Sequence, residues 1–168
     1  MADFINCCGQ RKVRSIAGAG RVPSVLIWVH LWPYFCMKTL RISSDSREQM
    51  IDITREVEEY LPETGQGAVV LFVQHTTCGV TVNENADPDV QTDMLGFLRR
   101  LIPQHEPHFK HGEQNSDAHI KSSLVGSSVT VPYENGQLLL GRWQGIYLCE
   151  FDGPRERNVV VQCLVANS

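Results

Sequence analysis

The chain predicts an α+β fold, with an antiparallel-rich folded mixed sheet of about seven strands and two or three helices. Three observations carry that reading. Apolar, strand-like runs recur along residues 38–165. Two segments with apolar residues at helical spacing interrupt the first half. The second half reads as a β meander folded around an Asn135-Gly136 turn.

Lys38–Ile42 alternates polar and apolar side chains, as a half-buried strand does. Asp45 and Glu48 stand at capping-box spacing, and Met50, Ile53, Val57 and Leu61 follow at helical intervals. A helix over about residues 46–60 is expected, ended by Pro62 and the Gly65/Gly67 loop. Ala68–Gln74 is a near-continuous apolar run, expected to be a strand buried on both faces. Val80–Asn83 is another short strand. Asp87-Pro88 opens a helix, Asp as N-cap and Pro at the first helical position, with Val90, Met94, Phe97, Leu98 and Leu101 as its buried face. Residues 103–115 are polar, histidine-rich and aperiodic, hence a loop. A short helix over 117–124 closes at Gly126. Strands over 128–132 and 137–140 flank Glu134-Asn135-Gly136, and two more apolar strands, 146–151 and 158–165, are joined by Asp152-Gly153-Pro154-Arg155.

The chain's 168 residues suit one domain, beginning at Met37 and running to residue 168. Residues 1–36 read as a non-native or poorly structured extension, an upstream start codon being one origin for it; a targeting segment is the alternative. Their longest apolar run, Val25–Val29, is broken by His30 and Pro33 and is too short to span a membrane. Charge divides at the same place: four cations and one anion before Met37, 11 cations and 18 anions after it. An acidic domain without a Lys/Arg run is a poor nucleic-acid binder, because that affinity comes from neutralising phosphates. None of the six cysteines forms a CxxC pair, and reduced thiols in a cytoplasmic protein are expected.

The chemistry-bearing residues cluster. Gln74-His75-Thr76-Thr77-Cys78-Gly79 sits where a buried strand ends, the kind of place where function collects. Glu84-Asn85-Ala86-Asp87 adds carboxylates and an amide beside a helix start, with Asp87 read first as the cap. His105, His108, His111 and His119 fall within 15 residues. Neutral imidazole is the commonest metal ligand, but these spacings match neither HxH nor HExxH. His105 and His108 are read as surface residues. Trp143 is either core or exposed, and Arg155 and Arg157 are either solvated charges or a guanidinium clamp for phosphate. No Walker A loop, GxGxxG or GxSxG elbow is present. Cys78 follows His75 by three residues, but spacing alone does not make the two a nucleophile and its base.

Four segments, QHTTCGVTVNENADPDVQTDM, DAHIKSSLVG, GRWQGIYLCE and DGPRERNVVV, occur in an order that resembles the YjbQ-like family of small proteins. The resemblance covers roughly Met37–Asn167. It implies an α+β fold assembled as a homotrimer, with a metal-holding pocket at the subunit interface. The positions matching the family motifs are His75, Thr76, Glu84, Asn85, Asp87, Asp93, His119, Gly141, Trp143, Gln144, Gly145 and Glu150, with His111 standing before the DAHI segment. It further implies a secondary thiamine-phosphate synthase-type activity, joining a pyrimidine diphosphate to a thiazole phosphate with release of pyrophosphate. The physiological reaction stays open.

Together these readings give an expectation. His75, His111 and His119 would hold a divalent metal, zinc by donor type or magnesium with a diphosphate substrate, leaving a position open. Glu150 or Glu84 would be the general base or orient a ligand. Asn85, Trp143, Gln144, Arg155 and Arg157 would bind a small phosphorylated metabolite, Trp143 by stacking on the pyrimidine. One alternative is metal-assisted hydrolysis of a phosphate ester or similar bond. Another is a non-enzymatic, small-molecule-binding or structural trimer. No membrane or nucleic-acid partner is expected.

Overall fold

The computed structural model describes residues 36–166. The expected extension over residues 1–36 lies outside the described residues, except for Cys36, which opens the first strand.

Among the described residues, eight strands and three helices follow in order. They are β1 (Cys36–Ser43), β2 (Gln49–Asp52), α1 (Thr54–Glu58), β3 (Gln66–Val73), β4 (Cys78–Glu84), α2 (Pro88–Leu101), α3 (Ser116–Val125), β5 (Ser128–Glu134), β6 (Gln137–Leu138), β7 (Gln144–Glu150) and β8 (Glu156–Val165). All strand pairs are antiparallel, and they form two sheets: β1-β8-β3-β5-β6 and β2-β7-β4.

The main core lies between the sheets. Leu40, Val69, Leu71, Val159 and Val161 of the larger sheet meet Cys78, Val80, Ile146 and Leu148 of the smaller one, with Ile53, Val57 and Leu61 closing one side. The other face of the smaller sheet is covered by helices. Tyr147, Cys149, Phe151 and Met50 pack there on Ala118 of α3 and on Met94, Leu95 and Leu98 of α2. Strand β7 is therefore buried on both faces from Gly145 to Glu150, the pattern of a strand between two layers.

Local chemistry sets the boundaries. Asp87 accepts from the Asp89 N–H at 2.9 Å and caps α2 ahead of Pro88, as expected. Asn135 and Gly136 both take positive φ, 49° and 79°, as a two-residue turn between antiparallel strands requires. Gly126 ends α3 at φ 100°.

Three expectations are corrected. The helix over 46–60 is instead β2 followed by the single-turn α1. The apolar residues that suggested it do not share a face: Met50 packs with the helices, whereas Ile53, Val57 and Leu61 pack between the sheets. The turn into α1 is set by Asp52, whose Oδ1 accepts the Thr54 N–H at 2.9 Å, not by Asp45. Strand β3 buries one face only, with Val69, Leu71 and Val73 inward and Phe72 outward, because the helices cover the other sheet. In α2 no residue is fully buried, and Phe97 and Leu101 are 58% and 57% exposed.

Candidate functional site

The expected site residues divide between the two ends of β7. Gln144 and Glu150 are six residues apart on an extended strand, about 20 Å at ~3.4 Å per residue.

At the Gln144 end, Gln144 pairs with Glu84 across β7 and β4. Its Oε1 accepts the Gly141 N–H at 2.7 Å, closing the loop that carries Trp143. That indole is 58% exposed, so it is not core. The Asn85 N–H donates to the Trp143 carbonyl at 2.8 Å. The Asn85 side chain reaches Asp52 Oδ2 at 3.4 Å. The backbone is tight at Gly145, where a Cβ would lie 3.1 Å from both Asn85 Cβ and Thr54 Oγ1. Asp93 and Asp87 are exposed on and before α2.

At the other end, Glu150 is fully buried and saturated with donors. Oε1 accepts from Arg157 Nη2 at 2.5 Å, the Phe151 N–H at 3.0 Å and the Asp152 N–H at 2.8 Å. Oε2 accepts from Arg157 Nε at 2.6 Å and Ser44 Oγ at 3.1 Å. Burial pushes this carboxyl upward, but the Arg157 hydrogen bonds and charge outweigh it and hold Glu150 below the usual carboxylate range. A carboxylate so placed is a fixed anchor with its lone pairs in use. Arg157 is equally committed, 3% exposed, its Nη2 also donating to Thr77 Oγ1 at 2.9 Å.

Arg155 is different. Its half-exposed guanidinium donates from Nη2 to Asp152 Oδ2 at 2.8 Å. Asn115 Nδ2, at the start of α3, donates to the same Asp152 oxygen at 2.9 Å. Asn115 Oδ1 is buried without a partner. One turn along the chain the His119 N–H donates to the Asn115 carbonyl at 3.3 Å, and the rings of His111 and His119 meet edge to face, centroids 5.3 Å apart. His111 Nε2 lies 4.0 Å from Glu113 Oε2.

His75 follows β3, where the Gln74 N–H donates to the Asn158 carbonyl at 3.2 Å. Its Nε2 accepts the Asn158 N–H at 2.8 Å. Burial, then the positive charge of Arg157, lowers its pKa, so the ring is held neutral with its proton on Nδ1. Ligation of a metal through Nε2 would require giving up that hydrogen bond. Two of the three expected histidines thus meet, and the third faces the Arg157–Glu150 pair. Among the described residues, no three His, Cys, Asp or Glu side chains form a group that could hold a metal ion. His105 and His108 are exposed. Burial pushes the Cys78 thiol up to about 12, which removes it as a nucleophile at neutral pH.

Sequence reasoning gave no role to Ser44, Thr77, Asp152 and Asn115, which build this end. It also missed a second charged cluster. Arg47 forks onto Asp117 at 2.9 and 3.0 Å. Lys121 Nζ donates to Asp117 Oδ2 at 2.8 Å and to Glu48 Oε1 at 2.6 Å, and Arg99 Nε bonds Glu48 Oε2. The Asp117/Lys121 spacing of four on a helix was a readable signal. A cavity of about 460 Å³ opens on this cluster.

The family model for UPF0047 protein YjbQ-like matches residues 38–166. The UPF0047 protein YugU of Bacillus subtilis is 52% identical over 130 residues, 76% of this chain and 98% of that protein. The UPF0047 protein YjbQ of Escherichia coli O157:H7 is 38% identical, over 67% of this chain and 85% of that protein. A crystal structure of an uncharacterized conserved protein of the yjbq/upf0047 family from Clostridium acetobutylicum aligns at TM-score 0.73 and 47% identity, covering 76% of this chain and 99% of that one. A conserved hypothetical protein from Thermus thermophilus aligns equally well, at TM-score 0.73 and 49% identity, with the same coverage. These alignments span the strands and helices that carry both charged clusters, and the chain belongs to the YjbQ-like UPF0047 family.

Proposed function

We propose that this chain is a small enzyme acting on a phosphorylated metabolite, with thiamine-phosphate synthase-type chemistry as a secondary activity. Its site lies at the Glu150 end of β7, in a homotrimer. The observation that carries the reading is the His111–His119 pair, its rings 5.3 Å apart, with His119 on the helix that Asn115 joins to Asp152 and Arg155. Histidines tied in this way to a half-exposed arginine suit a phosphoryl-bearing ligand.

The residues divide the work. Arg155, steered by Asp152, faces solvent and is placed to take a phosphate or diphosphate. The neutral His75 offers an Nδ1–H donor to the negative charge that develops on a departing diphosphate. Glu150 and Arg157 act as positioning residues, holding Thr77 and the β7–β8 turn. Trp143, Asn85 and Gln144, with the half-buried Glu84, form a separate surface patch that reaches a ligand only if a neighbouring subunit brings it to the histidine end. A divalent metal, zinc by donor type, would supply electrophilic help. His111 and His119 would be its donors from one chain, and the donor set of one chain is incomplete.

A non-enzymatic binding trimer is the second reading, favoured by the His75 lone pair resting on a backbone N–H. The test is the thiamine-type reaction followed by pyrophosphate release, with light scattering on the same sample. Turnover by about three associated chains, lost in Arg155→Gln and His119→Ala, supports the first reading. Ligand binding without turnover in a trimer supports the second. A concentration-independent monomer ends both.

A further inference from the structure

The cavity of about 460 Å³ is lined by Arg47, Arg99 and Lys121, with Glu48 and Gln104. The three cations come from three places in the chain: the β1–β2 loop, the last turn of α2 and the middle of α3. Lys121 is 1% exposed, so a buried ammonium forms part of the wall.

Each of the two carboxylates takes three donors, most of what a carboxylate can accept. Glu48 takes Arg47 and Lys121 on Oε1 and Arg99 on Oε2. Asp117 takes Arg47 on both oxygens and Lys121 on Oδ2. The donors are not used up. Arg99 is held through Nε, which leaves its two Nη groups, and Lys121 spends two of its three protons. Three cations face Glu48 and Asp117 directly, and Asp152 acts on Arg47 from further away. Spare donors on the exposed Arg99, beside the buried Lys121 in an open cleft, suit an anion.

We infer that this cavity is a binding site for the phosphoryl group of a small molecule, gripped by Arg99 and Lys121 with Arg47 behind them. A carboxylate is planar and is satisfied by one guanidinium fork. A tetrahedral phosphoryl group presents oxygens in several directions, which matches donors converging from three segments. The cleft has room beyond one phosphate, on the side of Gln104, for the organic body of an ester. The inference stands apart from the histidine site and holds whether or not that site is catalytic.

Isothermal titration of the full chain with inorganic phosphate, phenyl phosphate and acetate at matched ionic strength tests it. Phosphate and phenyl phosphate should bind saturably in the millimolar range or tighter, and acetate should not. Tighter phenyl phosphate identifies an ester as the natural ligand, and equal binding identifies free phosphate. Arg99→Gln removes an exposed arginine, and Gln104→Glu adds a negative charge without touching the ion pairs. Each should weaken phosphate binding by about tenfold or more, while Arg55→Gln on exposed α1 should not change it. No saturable binding, acetate bound as tightly as phosphate, or binding untouched by both cavity variants overturns the site.

Discussion

Asn115 donates from Nδ2 to Asp152 Oδ2 at 2.9 Å, and through that bond the helix carrying His119 is fastened to the loop carrying Arg155. Asp152 also accepts from Arg155, so the arginine, the turn and the helix start form one unit. The two chain segments are 37 residues apart. The site at this end of β7 is a product of tertiary closure rather than of any local motif.

Arg155 and Arg157 should respond to mutation in opposite ways. Arg157→Leu leaves Glu150 as a buried, unpaired charge and should cost about 3–5 kcal/mol, read by urea denaturation. Arg155→Gln removes a half-exposed surface pair and should cost less than about 1 kcal/mol. Equal losses would mean that Arg157 is not the anchor described.

Stability should fall with acid in two stages. His75 has a folded pKa below its unfolded value, so its contribution is complete above about pH 6.5 and declines as pH falls below that. Glu150 and Asp117 are both held low against the upward push of burial, Asp117 by Arg47 and Lys121. Their contribution is present above about pH 4 and is lost as pH falls further. Thermal melts from pH 7.5 to 3 should show both declines. In His75→Asn the upper one should disappear and the lower one remain.

Metal content should depend on the histidine pair. Elemental analysis of purified protein should show a sharp drop in His111→Ala and His119→Ala and no change in His105→Ala. Full occupancy in His119→Ala would remove the pair from consideration as ligands.

Gly79 should not tolerate a side chain. A Cβ there would lie 2.7 Å from the Gly126 carbonyl and 3.0 Å from Val125 Cγ1, where the end of α3 rests on β4. Gly79→Ala should cost about 1–3 kcal/mol by overpacking, seen as a lowered urea midpoint. Gly112→Ala, with open space around it, serves as the neutral control.

Much of this fold was legible in the chain because its signals are local. The Asp87-Pro88 cap, the Asn135-Gly136 turn and the Gly126 stop each act through their own backbone. Met50 misled because helical spacing measures angle along one helix, and it cannot tell that two residues belong to different cores. The site was legible as residue types and not as geometry. Nothing in the linear order says that Glu150 accepts from Ser44, 106 residues away. The length of β7, in contrast, already separates Gln144 from Glu150 on any extended backbone. The Arg47–Asp117–Lys121 cluster needed only helical spacing for half of itself, and the loop arginine supplied the rest.

The strand order β1-β8-β3-β5-β6 has a consequence for synthesis. The last described strand, β8, lies inside the larger sheet, between β1 and β3. Among the described residues β1 pairs with β8 alone, so closure of this sheet waits until β8 has been made. Contacts of such long sequence separation slow folding. A premature stop within β8 would leave β1 and β3 with unpaired edges, the form of truncated chain most prone to aggregate.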